Sequence, residues 1–151
     1  MKTKIRRLTI GNEDLLRGLA GEDADFDVEG RGGPLKPLGF KAARKFLTDP
    51  SVLFWTAEEK GRVVGFLFCY LLKMRAGKDE VLLYEIGVRK KSRRAGVGKA
   101  LQGALEAWMG AKHLSEAWVL ADNSGAVEFY KSCGFKKPRG MAVYMTKRIR
   151  N

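Results

Sequence analysis

Histidine occurs once in this 151-residue chain and cysteine twice. With His113 alone, lying past a predicted helix end, a Cys–His acyl-enzyme route has little to build on. No metal site is expected. Cys69 and Cys133 fall in apolar segments without CxxC spacing, so they read as reduced core residues of a cytoplasmic fold. No stretch approaches the ~18 apolar residues of a membrane span. The N-terminal cations of MKTKIRRLTIGNEDLL precede no apolar h-region. The expectation is a soluble, unexported protein with no membrane partner. Internal repeats and low-complexity segments are absent too, and the length suits one domain, 1–151, with a real core.

Acids are also scarce: 17 Asp and Glu stand against 29 Lys and Arg, for a net charge of +12. Such a balance attracts polyanions or a phosphate-rich small molecule. The cations crowd at 89–99 and again at 136–150, whereas Glu22, Asp23, Asp25, Asp27 and Glu29 cluster in GEDADFDVEG. The pattern predicts one face for an anion and one loop for a cation.

Apolar periodicity gives the element order. A weak strand at 4–10 leads to a short helix capped by Asn12 and running to about Ala20, then a loop over 21–37. LGFKAARKFL (38–47) is helical until Asp49-Pro50 stops it. VLFWTAE (52–58) and 62–74 form a hairpin about Glu59-Lys60-Gly61, and a second turn at 75–78 leads to the apolar strand 81–88. From Val97 the period becomes helical through Lys112, with Ala100, Leu101, Ala104, Leu105 and Trp108 on one face. A short buried strand at 117–121, a helix begun by Asp122, Asn123 and Ser124 and closed by Gly134, and a last strand at 141–147 complete the chain. This order predicts an α/β fold, a mixed central sheet with helices on its faces.

RRAGVGKA at 93–100 is a glycine turn between a strand and a helix. Orphan N–H groups and the macrodipole favour an anion there. Gly96 and Gly98 allow close backbone approach to a pyrophosphate, and Arg93, Arg94 and Lys99 add charge. A P-loop is excluded because Arg93 stands where its first glycine belongs and Ala100 follows Lys99. Leu101 excludes the dinucleotide fingerprint, which needs glycine there. The same cations would also serve an ordinary solvated helix start or a nucleic-acid patch. A nucleic-acid module would interleave aromatics, and 89–99 has none.

Arg93-Arg94-Ala95-Gly96-Val97-Gly98 resembles the Gln/Arg-x-x-Gly-x-Gly/Ala acetyl-CoA motif of the GNAT N-acetyltransferases. Asn123 through Phe135, NSGAVEFYKSCGF, resembles their later Asn-x-x-Ala-x-x-Phe-Tyr segment. The resemblance spans about 52–147 and implies a GNAT-like fold with a coenzyme-binding core at about 81–135. It implies that the pyrophosphate of coenzyme A meets the backbone of Arg94, Ala95, Gly96, Val97, Gly98 and Lys99. It also implies that Ile86, Gly87 and Val88 pair with the pantetheine arm, and that Asn123 contacts it from the other side. Gly87 fits a bulge that splays the strand from 117–121. A homodimer is compatible with the family.

The implied chemistry is attack by a neutral amine on the thioester. N–H groups near 86–88 stabilise the developing oxyanion. Tyr130 donates to the departing thiolate, unless it is only a core aromatic. Glu85, sharing a strand face with Leu83 and Gly87, is the candidate base with a raised pKa, or else an ion pair that orients a cation. Within the superfamily, Tyr84-Glu85-Ile86-Gly87-Val88 is similar to the Tyr-Asp-Leu-Ala-Val strand of class I aminoglycoside 3-N-acetyltransferases. That likeness implies acetylation of an aminoglycoside, at its 3-amino group. Asp25, Asp27, Glu29, Glu85 and Asp122 would then bind the polycation, although a solvated acidic loop fits the same residues. Departures are Glu85 in place of Asp and the basic end Lys147-Arg148-Ile149-Arg150. A protein N-terminus, a lysine or a polyamine is the alternative acceptor.

Overall fold

Alternating apolar residues in 52–88 build the centre of the fold. In a computed structural model, which describes residues 2–26, 35–140 and 142–150, they form β2 (Val52–Glu59), β3 (Arg62–Leu72) and β4 (Glu80–Val88). Lys60 and Gly61, at φ 50° and 74°, make the β2–β3 turn, whose two left-handed residues match the twist of a hairpin. β1 (Lys4–Arg7) and β5 (Ala117–Val119) flank the three, in the order β1-β2-β3-β4-β5. The first four strands are antiparallel and β5 runs parallel to β4, so the sheet is mixed.

Helices cover both faces. α4 (Val97–Ala111) lays its stripe of Val97, Leu101 and Leu105, all at most 1% exposed, on one face. There Gly65 lacks a Cβ that would stand 2.8 Å from Val97 Cγ1 and 3.1 Å from the Gly87 carbonyl oxygen, so α4 starts close against the sheet. On the other face α1 (Glu13–Gly21), α2 (Asp23–Phe26) and α3 (Phe40–Thr48) contribute Leu19, Phe26 and Phe46 to a cluster with Phe54, Phe66 and Phe68. Edge and stacked ring pairs at 5.3–5.7 Å run through it. The chain has two compact units, Met1–Leu120 and Ala121–Asn151; the second holds α5 (Ser124–Ser132).

Four local expectations need correction. Asn12 does not cap α1 through its side chain: its Oδ1 accepts from Thr9 N–H at 2.9 Å, closing the turn that ends the first strand early. Part of the expected loop is helical, as α2. β5 spans only Ala117–Val119 and is half-exposed, with Leu120 61% exposed, because its ladder on β4 ends at Leu83↔Val119. Residues 142–147 form no strand; Val143, Tyr144 and Met145 are 75–84% exposed, and an apolar run without a ladder partner does not hold a strand by propensity alone.

Candidate active site

β4 carries the bulge expected at Gly87, but at Tyr84. Phe68 faces Glu85 and Cys69 faces Leu83, so Tyr84 is an extra residue. Cys69 receives a backbone hydrogen bond from this bulged residue, and burial pushes its thiol up to about 12. Pairing with β5 stops at Leu83↔Val119, where β5 ends, so 85–88 lie beyond the β5 ladder. That leaves a stretch of strand edge beyond the β5 ladder, beginning where Ile86, Gly87 and Val88 were expected to meet pantetheine. Gly87 is needed for another reason: a Cβ there would stand 2.6 Å from Phe66 Cε1 and 3.0 Å from Phe26 Cβ.

The bulge also turns Glu85 over. In an unbroken strand Glu85 would share a face with Leu83; with one residue inserted, Leu83 stays on the α4 side and Glu85 joins Phe68. Expected neighbours Glu85 and Leu83 are therefore on opposite faces, while Glu85 and Gly87 remain on one. Glu85 lines a cavity of about 170 Å³ with Leu16, Leu19, Asp23, Phe54, Phe66 and Phe68. Tyr84 is 58% exposed and meets the rings of Phe68 and Tyr70 edge-on, each at 5.5 Å. Arg17 also borders the cavity, its Nε donating to the Leu38 carbonyl at 2.8 Å.

Beyond β4 the glycine turn is built for an anion. Arg94 and Gly96 adopt left-handed conformations, φ 62° and 82°. Gly96 is the N-cap of α4 and supplies no capping side chain. The first helical bond runs from Ala100 N–H to the Gly96 carbonyl at 3.0 Å, so the amides of Val97, Gly98 and Lys99 precede the ladder at the positive end of a 15-residue helix. Arg93, Arg94, Ala95, Gly96 and Lys99 are exposed around them. Arg93 reaches two carbonyls, Val88 at 3.3 Å and Phe26 at 3.4 Å. The phosphates and amide-bearing arm of coenzyme A fit these groups: helix amides and cations for the first, an unpaired strand edge for the second.

Arg89, read from the sequence as one of the anion-facing cations, is instead buried, at 5% exposure. Its Nε donates to the Val63 carbonyl at 2.6 Å, Nη1 to Asp25 at 2.7 Å and Nη2 to Glu22 at 2.8 Å. Its guanidinium lies 4.5 Å from the Phe26 ring centroid. Burial opposes its charge, but the hydrogen bonds it donates to Asp25 and Glu22 raise its pKa on balance. The Arg89 hydrogen bond holds the Asp25 carboxyl below its ordinary range. Two acids of the stretch expected to border the acceptor, Glu22 and Asp25, are thus paired with a buried cation while staying about half exposed, and they fasten α2 to the end of β4. Asp27 and Glu29 lie outside the described residues.

In the second unit Asn123 caps α5, its Oδ1 accepting from Ala126 N–H at 2.8 Å, and its Nδ2 donates to exposed Asp122 at 3.2 Å. Tyr130 is buried, 7% exposed, with Phe129 and Phe135 rings 5.2 and 5.3 Å away. Sequence reasoning missed the inward turn of Arg89 and the close approach at Gly65. Only Gly65 left a signal, a glycine inside an otherwise apolar strand. No cluster of three His, Cys, Asp or Glu poised for a metal occurs among the described residues, nor a helix long and apolar enough to cross a membrane.

Comparisons with known proteins bear on the family and the fold. An uncharacterized N-acetyltransferase of Methanocaldococcus jannaschii is 33% identical over 102 residues, 64% of this chain and 45% of that protein; the chain thus matches less than half of its relative's length. An aminoglycoside acetyltransferase from an uncultured soil metagenomic sample, solved with trehalose, superposes with a TM-score of 0.79 at 23% identity, covering 97% of both chains. Aminoglycoside N-acetyltransferase AAC(6')-Iy, solved with CoA, gives 0.72 at 20% identity over 97% of this chain and 100% of that one. At these identities the structural likeness is one of fold. Residues 23–135 match the model of the acetyltransferase (GNAT) family, about three quarters of the sequence, and the chain belongs to that family.

Proposed function

We propose that the chain is an acetyl-CoA-dependent N-acetyltransferase acting on a primary amine. One observation carries the reading: the Tyr84 bulge turns Glu85 into the cavity right where the β5 ladder on β4 ends. One strand therefore serves both reactants. The coenzyme supplies the acetyl group as a thioester. The amides of Val97, Gly98 and Lys99, with Arg94, hold its phosphates, and the backbone of Ile86, Gly87 and Val88 holds the arm. N–H groups of that strand stabilise charge developing on the acetyl oxygen. Glu85 receives the ammonium and takes its proton, directly or through water. Tyr130 donates a proton to the leaving sulfur and Asn123 steadies the arm; both roles rest on the family motif.

An aminoglycoside acceptor draws support from the neighbours of this fold that are named for that activity, and the 3-amino position from the likeness of the β4 sequence. Engagement of Glu22 and Asp25 by Arg89 removes part of the charge argument for a polycation. The test is release of coenzyme A thiol from acetyl-CoA with gentamicin, kanamycin, spermidine and a lysine peptide as separate acceptors. Amine-dependent release that disappears in Gly96→Val supports the proposal. Failure to bind acetyl-CoA would remove it.

A further inference from the structure

Resting on that reading, we infer that the acceptor is a primary amine carrying a compact, benzene-sized apolar group. The group fills the cavity beside Glu85 while the ammonium meets the carboxylate. Volume is the first argument. Drug-sized ligands occupy pockets of roughly 300–1,000 Å³, whereas a dry cavity of about 150 Å³ holds benzene. This one measures about 170 Å³. The cavity opens to solvent past exposed Leu35 and Leu38, so a polyhydroxylated ring system would have to leave most of its volume outside.

Wall chemistry is the second argument. The inner surface is Leu16, Leu19, Phe46, Phe54, Phe66 and Phe68. Hydroxyls entering there would leave their water partners and find none on those side chains. Four charged residues border the cavity, and they divide by role. Arg17 is ion-paired with Asp14 at 3.7 Å and donates to the Leu38 carbonyl, and Lys36 is exposed. Glu85 and Asp23 are the two acids of the lining, Asp23 being 6% exposed. Apolar walls with two carboxylates among them match an amine on a short apolar stem. The stem belongs either to a free aralkylamine or to the N-terminal residue of a peptide.

The experiment compares kcat/KM for phenethylamine, phenylalaninamide, ethylamine and kanamycin with acetyl-CoA. Phenethylamine or phenylalaninamide should exceed ethylamine by at least about a hundredfold, since a single methylene in an apolar pocket is worth roughly 10–200-fold. The relative rates of the two aromatic amines tell a free amine from an N-terminal residue. Ala20→Phe, which narrows the cavity, should lower the phenethylamine-to-ethylamine ratio by about tenfold or more. Leu35→Trp, on its exposed wall, should do the same without a burden on folding. Thermal shift separates the two readings. If no amine releases thiol but phenethylamine, and not ethylamine, still stabilises the wild type and not Ala20→Phe, the enzymatic reading falls and the cavity assignment stands. Equal rates for ethylamine and phenethylamine, or a preference for kanamycin, would overturn the inference and leave the acetyltransferase intact.

Discussion

Replacing Gly87 with alanine tests the join between the two halves of the site. The new Cβ would sit 2.6 Å from Phe66 Cε1, 3.2 Å from Phe66 Cζ and 3.0 Å from Phe26 Cβ. Carbon atoms rest at about 3.5–4.0 Å, so the ring must withdraw by roughly 1 Å. Its neighbours hold it on two sides, with Phe66 6% exposed, stacked on Phe54 at 5.6 Å and edge-on to Phe26 at 5.3 Å, so it can withdraw only into the cavity it lines, at the cost of those ring contacts. Overpacking of this kind costs about 1–3 kcal/mol. Alanine returns about 0.4–1 kcal/mol by restricting the unfolded chain. The net loss is then about 1–2 kcal/mol, a fall in Tm of about 2–8 °C for a chain of this size. Gly103→Ala is the control. That residue lies within α4 with nothing inside 4 Å of a built Cβ, so alanine should gain about 1 kcal/mol of helix propensity and raise Tm by about 2–4 °C. Thermal melts followed by circular dichroism read both. A Gly87→Ala protein melting at or above wild type would refute the close approach of Phe66 and Phe26 to β4.

Gly96→Val forces a β-branched residue to φ 82° where space is open. The penalty is conformational, about 1–3 kcal/mol, and titration calorimetry should show roughly tenfold or greater loss of coenzyme affinity; retained affinity would remove the pyrophosphate assignment. Tyr130→Phe should cut turnover about 10²-fold or more with coenzyme Kd unchanged, and an unaltered kcat would take Tyr130 out of the mechanism. Asp25 is held below its ordinary pKa of 3.8 by Arg89. Its contribution is therefore present above about pH 4 and fades as acid passes through the lowered value; Arg89→Met should flatten that limb of an acid-denaturation profile. Cys69 behaves in the opposite sense. Its neutral thiol stabilises the fold fully below its ordinary value of 9.0, and that stability is lost as pH climbs toward about 12. Iodoacetamide at pH 8 should leave it unlabelled in the folded protein, as mass spectrometry would show.

The parts of the site that were legible in the sequence are those written locally. The glycine turn follows from a few adjacent residues, the α4 stripe from its period, and Asn123 caps α5 as its side-chain chemistry predicts. What was not legible depends on partners far along the chain. Nothing in VLLYEIGV says that Tyr84 is the extra residue, since an apolar run reads alike on either register, and glycine drew the bulge to Gly87. The insertion becomes visible only when Phe68 and Cys69 are set opposite Glu85 and Leu83. Arg89 makes the same point for charge. Counted with Lys90 and Lys91 it belongs to a basic run, yet it is turned inward by Val63, Glu22 and Asp25, 26, 67 and 64 residues away. A guanidinium with three fixed partners cannot also serve a phosphate, and a carboxylate bound to it is a weaker lure for a polycation. Net charge therefore overstated both faces, and the acceptor question passes from the acidic stretch to the aromatic cavity that Glu85 enters.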